Sequence, residues 1–112
     1  IGCQTIMRYL EKLHRHKRTG GCVFIAGFFD LINLQPEEMK IAHPWLHTRI
    51  EFERVLDHCN NFLAIFSSDD PDVNLDESKK FKNNLGAKIM IKHGEEHFNE
   101  TTRIPEILKF IK

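Results

Sequence analysis

The sequence predicts an α/β protein, a parallel sheet with helices on its faces in a three-layer α/β/α sandwich. Three observations carry that reading. Residues 22–27, 62–66 and 88–91 are short apolar runs, and the first two show no alternation, as strands covered on both faces require. Stretches of helical periodicity separate the runs, so each crossover between strands is expected to be helical and right-handed. Gly20-Gly21, Pro71 and Gly86 punctuate the junctions.

The elements follow in order. Cys3, Ile6, Met7, Leu10 and Leu13 fall on one helical face and predict a helix from residue 2 to about 17. Its polar face holds Arg8, Lys12, Arg15 and Lys17, with cations crowding the last turn, where they complement the helix dipole. Gly20-Gly21 ends it. Residues 28–46, rich in Phe, Pro and Trp, read as one long irregular connection, a lid-like loop. His47 to Cys59 reads as a helix with Ile50, Phe52, Val55, Leu56 and Cys59 inward. A helix near 74–85 closes on Gly86, and Ile104 to Ile111 forms the last, with Pro105 in its first turn. Three strands alone would leave residues 22–27 with an unpaired edge. The expectation is therefore that residues 1–112 are the C-terminal part of a single larger domain.

Composition narrows the function classes. Sixteen basic and sixteen acidic side chains cancel, removing the global field that nucleic-acid or anionic-membrane binding calls for. No apolar run reaches the roughly 18–20 residues of a membrane span. Cys3, Cys22 and Cys59 lie in or beside apolar stretches with no CxxC spacing, and read as reduced core thiols of a cytoplasmic protein. Cys59, on the apolar side of its helix, is a poor site for a reactive thiolate. The run His14-Arg15-His16-Lys17-Arg18 lacks interleaved aromatics and reads as a solvated helix end rather than a nucleic-acid patch. His43 and His47 are four apart, yet Pro44 biases His43 away from helix, so no metal site is expected there, and no cofactor motif stands out. A glycine-rich phosphate loop between a strand and a helix is also missing, which counts against a nucleotide-binding module.

Two residues carry chemistry. Asp70, in Ser68-Asp69-Asp70-Pro71, follows the run 62–66, and His97, in Glu96-His97-Phe98, follows the run 88–91. Ligands of doubly wound sheets gather at the carboxyl ends of the strands. A carboxylate and an imidazole at that rim suit nucleophilic catalysis, in which the histidine takes the nucleophile's proton and the carboxylate fixes its tautomer. The same pattern also fits an aspartate shaping a turn and a histidine in a surface loop. Ile1-Gly2 ahead of a helix matches the second half of a Gly-x-Ser-x-Gly elbow. There the residue after the serine offers its amide to the oxyanion, and the glycine packs the helix against the preceding strand.

Ile1-Gly2-Cys3-Gln4-Thr5-Ile6-Met7-Arg8-Tyr9-Leu10, Val23-Phe24-Ile25-Ala26-Gly27-Phe28, Pro44-Trp45, Ser68-Asp69-Asp70-Pro71-Asp72-Val73 and His97-Phe98 together resemble, in order, the small serine hydrolases of the retinoblastoma-binding protein nine type. The resemblance spans nearly the whole chain. It implies a partial α/β-hydrolase fold and a Ser-Asp-His triad acting on a small ester or amide substrate through an acyl-enzyme, without metal or cofactor. It puts the acid on Asp70, with Asp69 its neighbour, and the base on His97. The oxyanion amide falls on Ile1 and the elbow glycine on Gly2. The chain departs from the pattern twice. Glu96 stands where the family usually has glycine, straining the turn or setting a second carboxylate beside the imidazole. The nucleophilic serine would fall just before residue 1, so these 112 residues alone are expected to be inactive. Phe28 and Trp45, with Phe29, are candidates to line a substrate pocket under the lid, or else simply pin the loop to the core. A different reading is a non-catalytic protein-interaction domain that keeps the hydrolase scaffold.

Overall fold

The computed structural model describes residues 1–111. Three strands, β1 (Cys22–Ile25), β2 (Phe62–Ser67) and β3 (Lys88–Lys92), form a parallel sheet in the order β1-β2-β3. Five helices join and flank them: α1 (Gly2–Glu11), α2 (Pro36–His47), α3 (Phe52–His58), α4 (Glu77–Leu85) and α5 (Pro105–Ile111). The parallel α/β reading of the sequence holds. β2 is central and buried along its whole length. The flanking strands are each open on one edge, and Ile25 and Ile91 there remain partly exposed.

The pleat divides the core. Phe62, Ala64 and Phe66 of β2 share a face with Cys22 and Phe24 of β1 and meet Met7 and Leu10 of α1, Val55 of α3, and Phe81 and Leu85 of α4. Phe81 is its hub, its ring within 6 Å of the Phe24, Phe29 and Phe66 rings. Leu63 and Ile65 alternate to the other face and are equally withdrawn from water. α5 is tied to the sheet by an ion pair between Glu106 and Lys92 at 2.6 Å. Gly86 closes α4 at φ 64°, the left-handed cap that its glycine permits.

Three expectations need correction. The first helix stops at Glu11, not near residue 17. Beyond it, five successive basic or histidine side chains would share one helix end. The backbone there is instead drawn onto the end of α3: His58 Nδ1 donates to the Lys17 carbonyl at 2.6 Å, Thr19 N–H to the His58 carbonyl, and Arg18 to the Asp57 carbonyl. The helix expected from His47 begins only at Phe52, because residues 48–51 turn the chain and the Glu51 amide donates to the Glu11 carboxylate at 2.8 Å.

The lid-like loop at 28–46 is not irregular throughout. Its second half is α2, with Pro44 inside the helix. Pro36 at the first turn and a capping box between Gln35 and Glu38 start it. Arg8 of α1 donates to the Trp45 and Thr48 carbonyls and so holds the chain at its far end. Those contacts offset the hydrogen bond that Pro44 cannot make.

Candidate active site

β2 and β3 are parallel neighbours, so the segments that leave their carboxyl ends emerge side by side. The Ser68 amide continues the ladder by donating to the Lys92 carbonyl at 2.9 Å. Past Ser67 the chain turns back on itself, and Asp70 Oδ1 accepts the Asp72 and Val73 amides at 2.9 and 3.0 Å. An aspartate that caps its own turn in this way has one oxygen committed and its rotamer fixed. The other oxygen, Oδ2, lies 2.8 Å from His97 Nδ1. The Asp70 side chain is 2% exposed and that of His97 33%. The carboxylate is thus sealed behind an imidazole that still reaches solvent. With a carboxylate as partner, Nδ1 carries the proton and Nε2 is the nitrogen left to accept one. Together these contacts form a proton acceptor held in one tautomer.

The segment carrying His97 is contorted. Gly94, Glu96 and Phe98 all have left-handed backbones, at φ 76°, 50° and 61°. Glu96, where the resemblance leads one to expect glycine, adopts the conformation that glycine tolerates without steric cost. Two bonds from the β2 end hold this turn. The Glu95 amide donates to Ser67 Oγ at 3.0 Å, and the Glu96 amide to Asp69 Oδ1 at 2.9 Å. Ser67 Oγ in turn donates to Asp69 Oδ1 at 2.7 Å. These bonds, with the Ser67 bond first among them, hold the Asp69 carboxyl below its ordinary range. Sequence reasoning noted Asp69 only as a neighbour and passed over Ser67. The Ser-x-Asp spacing at a strand end was the one signal available. His93 stays outside this pair, exposed, with Nδ1 3.1 Å from Ser68 Oγ.

The start of α1 lies at the same end of the sheet. Cys3 Sγ is 3.6 Å from the Ile25 carbonyl at the end of β1, and burial pushes its thiol pKa up. Ile1 is partly exposed there, its carbonyl taken by Thr5. A Cβ on Gly2 would meet nothing within 4 Å among the described residues, which include no strand before α1 for it to pack against. Just after β1, α1 makes a tight approach at Gly27, where a Cβ would come within 2.6 Å of the Phe81 ring and 3.1 Å of Cys3 Sγ.

The two aromatic pocket candidates part company. Phe28 is a core residue, 5% exposed, whose carbonyl accepts from Gln4 Nε2 at 2.9 Å, as the alternative of pinning the loop to the core requires. Trp45 does border a cavity of about 740 Å³, with Phe29, Phe52, Arg49 and Lys80 among its walls. That cavity lies among the helices, and no residue of 67–73 or 93–98 lines it. Trp45 also sits under the Arg8 guanidinium, 5.8 Å from the ring centroid.

Asp70, Asp72 and His97 place ligand-type atoms within 4.8 Å of one another. Two of the three are already spent. Asp70 Oδ1 faces two amides and Oδ2 faces the ring N–H, an arrangement complementary to protons rather than to a cation.

A carboxylate–imidazole pair on adjacent strand ends of a parallel sheet is an arrangement that hydrolases built on an α/β core use. The chain belongs to the Serine hydrolase family, whose family model matches residues 1–109. It is 25% identical over 101 residues to YdeN of Bacillus subtilis (strain 168), whose name describes a hydrolase; the match covers 89% of this chain and 50% of that protein. The crystal structure of the ydeN gene product superposes with a TM-score of 0.81 at 20% identity, covering 98% of this chain and 59% of that one. That likeness establishes the fold. The chain spans about half the length of the curated relative it matches. No helix among the described residues is long and apolar enough to cross a membrane.

Proposed function

We propose that residues 1–112 supply the acid and base of a serine hydrolase of the retinoblastoma-binding protein nine type, cleaving small esters or amides through an acyl-enzyme. The observation that carries the reading is the 2.8 Å contact between His97 Nδ1 and Asp70 Oδ2, with Oδ1 pinned by two amides. The family resemblance puts the attacking serine immediately before Ile1, so the reaction belongs to a chain that includes it. In that chain the serine oxygen attacks the substrate carbonyl while His97 Nε2 takes its proton. Asp70 stabilises the imidazolium without itself taking the proton. The Ile1 amide, at the start of α1, is the proposed donor to the oxyanion. Collapse of the tetrahedral intermediate breaks the ester or amide bond, and His97 returns the proton to the leaving group. Water, activated by the same nitrogen, then releases the acid. No step calls for a metal or cofactor. The cytoplasm is the proposed location, since free thiols at Cys3, Cys22 and Cys59 suit a reducing compartment.

The test is labelling by a fluorophosphonate probe. A chain extended to include the serine should label, and its His97→Ala variant should not. The 112-residue chain should stay unlabelled. A folded, extended chain that resists the probe would overturn the hydrolase reading in favour of a non-catalytic interaction domain.

A further inference from the structure

The segment that presents His97 adopts a conformation its own residues do not favour. Glu96 and Phe98 are non-glycine residues with positive φ, and the Cβ of such residues opposes a left-handed backbone. Within the segment the Phe98 amide closes a turn onto the Glu95 carbonyl at 2.8 Å, and contacts from outside add to it. The contacts from β2 do so at two successive amides, Glu95 to Ser67 Oγ and Glu96 to Asp69 Oδ1, immediately before the histidine. Asp69 Oδ1 also accepts the Ser67 hydroxyl, which orients that hydroxyl to receive the Glu95 amide. Removing the Asp69 acceptor therefore releases the Glu96 bond and frees the Ser67 hydroxyl to rotate, weakening the Glu95 bond.

We infer that Asp69 is a positioning residue: its carboxylate oxygen gathers the Ser67 hydroxyl and the Glu96 amide, and so fixes the turn that delivers His97 Nδ1 to Asp70. The two neighbouring aspartates divide the labour. Asp70 bonds the ring, and Asp69 bonds the backbone that carries the ring. Asp69 is exposed, while the serine it orients is 2% exposed. Acceptor geometry rather than negative charge is what the role demands, so an amide side chain in the same place should serve. As a part of catalysis the role rests on reading His97 as the base. As a matter of ring placement it does not.

The experiment is nitrogen-resolved NMR of the His97 ring in the 112-residue chain. The unaltered protein should show a downfield Nδ1–H proton protected from exchange by Asp70. Asp69→Ala should speed exchange of that proton by at least about tenfold, the scale of one lost charge-assisted bond. The β2 amides of Ala64 and Ile65 should stay protected. Asp69→Asn should restore the slow exchange, because its carbonyl oxygen can accept the same two bonds. Ser67→Ala should fall between them, and it decides the matter with Asp69→Asn should Asp69→Ala not fold. An unchanged ring signal in Asp69→Ala, or an Asp69→Asn chain that behaves like Asp69→Ala, overturns the proposal. Because the readout is the ring itself, failure of the fluorophosphonate experiment leaves this result standing, and the reverse also holds.

Discussion

Three segments leave the carboxyl end of this sheet, and they are held in two opposite ways. Residues 67–73 and 93–98 hold each other. Asp70, Asp69 and Ser67 on one segment answer His97, Glu96 and Glu95 on the next, all within about 30 residues of sequence. Residues 28–51 touch that region where Ile32 and Asn33 donate to the Asp72 and Pro71 carbonyls, but are held elsewhere by side chains from distant helices. Gln4 bonds the Phe28 carbonyl, Glu77 the Phe29 and Asp30 amides, Arg8 the Trp45 and Thr48 carbonyls, and Glu11 the Glu51 amide. The first arrangement is reciprocal and local. The second is a set of independent anchors, each a buried or half-buried polar group serving backbone that would otherwise lack a partner.

The contrast predicts that damage to the first region shows in activity and damage to the second in stability. Asp70→Asn is the most severe test. With Oδ1 still accepting the Asp72 and Val73 amides, the amide nitrogen must take the place of Oδ2 and donate to His97 Nδ1. The ring is then driven to the Nε2–H tautomer and cannot accept the serine proton. In a serine-containing chain kcat for a small ester should fall about 10⁴-fold, the usual loss for this change in a triad. The urea midpoint should barely move. A drop of less than tenfold would show that Asp70 shapes the turn and nothing more.

Glu77→Ala should do the reverse. Glu77 is 4% exposed, accepts two amides at 2.6 and 2.9 Å, and pairs with Lys80. Truncation strands both amides, at a cost of about 2–4 kcal/mol in urea unfolding. Glu77→Gln keeps the accepting oxygen and should lose much less. Equal losses for the two variants would mean that charge, not the acceptor, matters.

These regions also differ in how far the sequence revealed them. Asp70 and His97 were legible because each follows an apolar strand and the strands are parallel neighbours, so periodicity alone brings them to one rim. α2 was not. Its signals are local and contradictory, with a capping box at Gln35 but a proline at 44. What settles the conflict is Arg8, 36 positions before Pro44 and on another helix. Sequence patterns report a residue's own neighbourhood. They were silent on Glu77, Gln4 and Arg8, whose polar ends reach across the fold. The truncation of α1 was hidden for the same reason, since His58 draws Lys17 and Thr19 away from helical continuation.

The foot of the sheet, opposite the rim, allows a pH test. Cys22 Sγ and Cys59 Sγ lie 3.8 Å apart in the core. Burial, and then Cys59 beside it, pushes the Cys22 thiol up from 9.0 to about 12. The folded chain keeps a proton there that the unfolded chain releases above pH 9. Stability from this group is therefore fully present below pH 9 and declines as pH rises toward about 12. The limiting slope for one proton is about 1.4 kcal/mol per pH unit. Urea unfolding between pH 8 and 10.5 should show the decline, and Cys22→Ala should flatten it. An alkaline loss that survives Cys22→Ala belongs to another group.

The smallest effect returns to the rim and has the opposite sign. Glu96 holds φ 50° because Ser67 and Asp69 bind its turn, and a side chain there opposes that conformation by about 1–2 kcal/mol. Glycine removes the penalty but adds about 0.5–1 kcal/mol of entropy lost on folding. Glu96→Gly should thus stabilise the chain by about 0.5–1 kcal/mol, read as a higher urea midpoint at unchanged slope. The gain should also couple to Asp69. With glycine at 96 the turn needs less holding, so Asp69→Ala should cost less in that background than in the parent. A double-mutant cycle isolates the difference. Strict additivity would mean that the bond to the Glu96 amide and the strain at Glu96 are unrelated, and that the rim is only a set of separate anchors like those that hold residues 28–51.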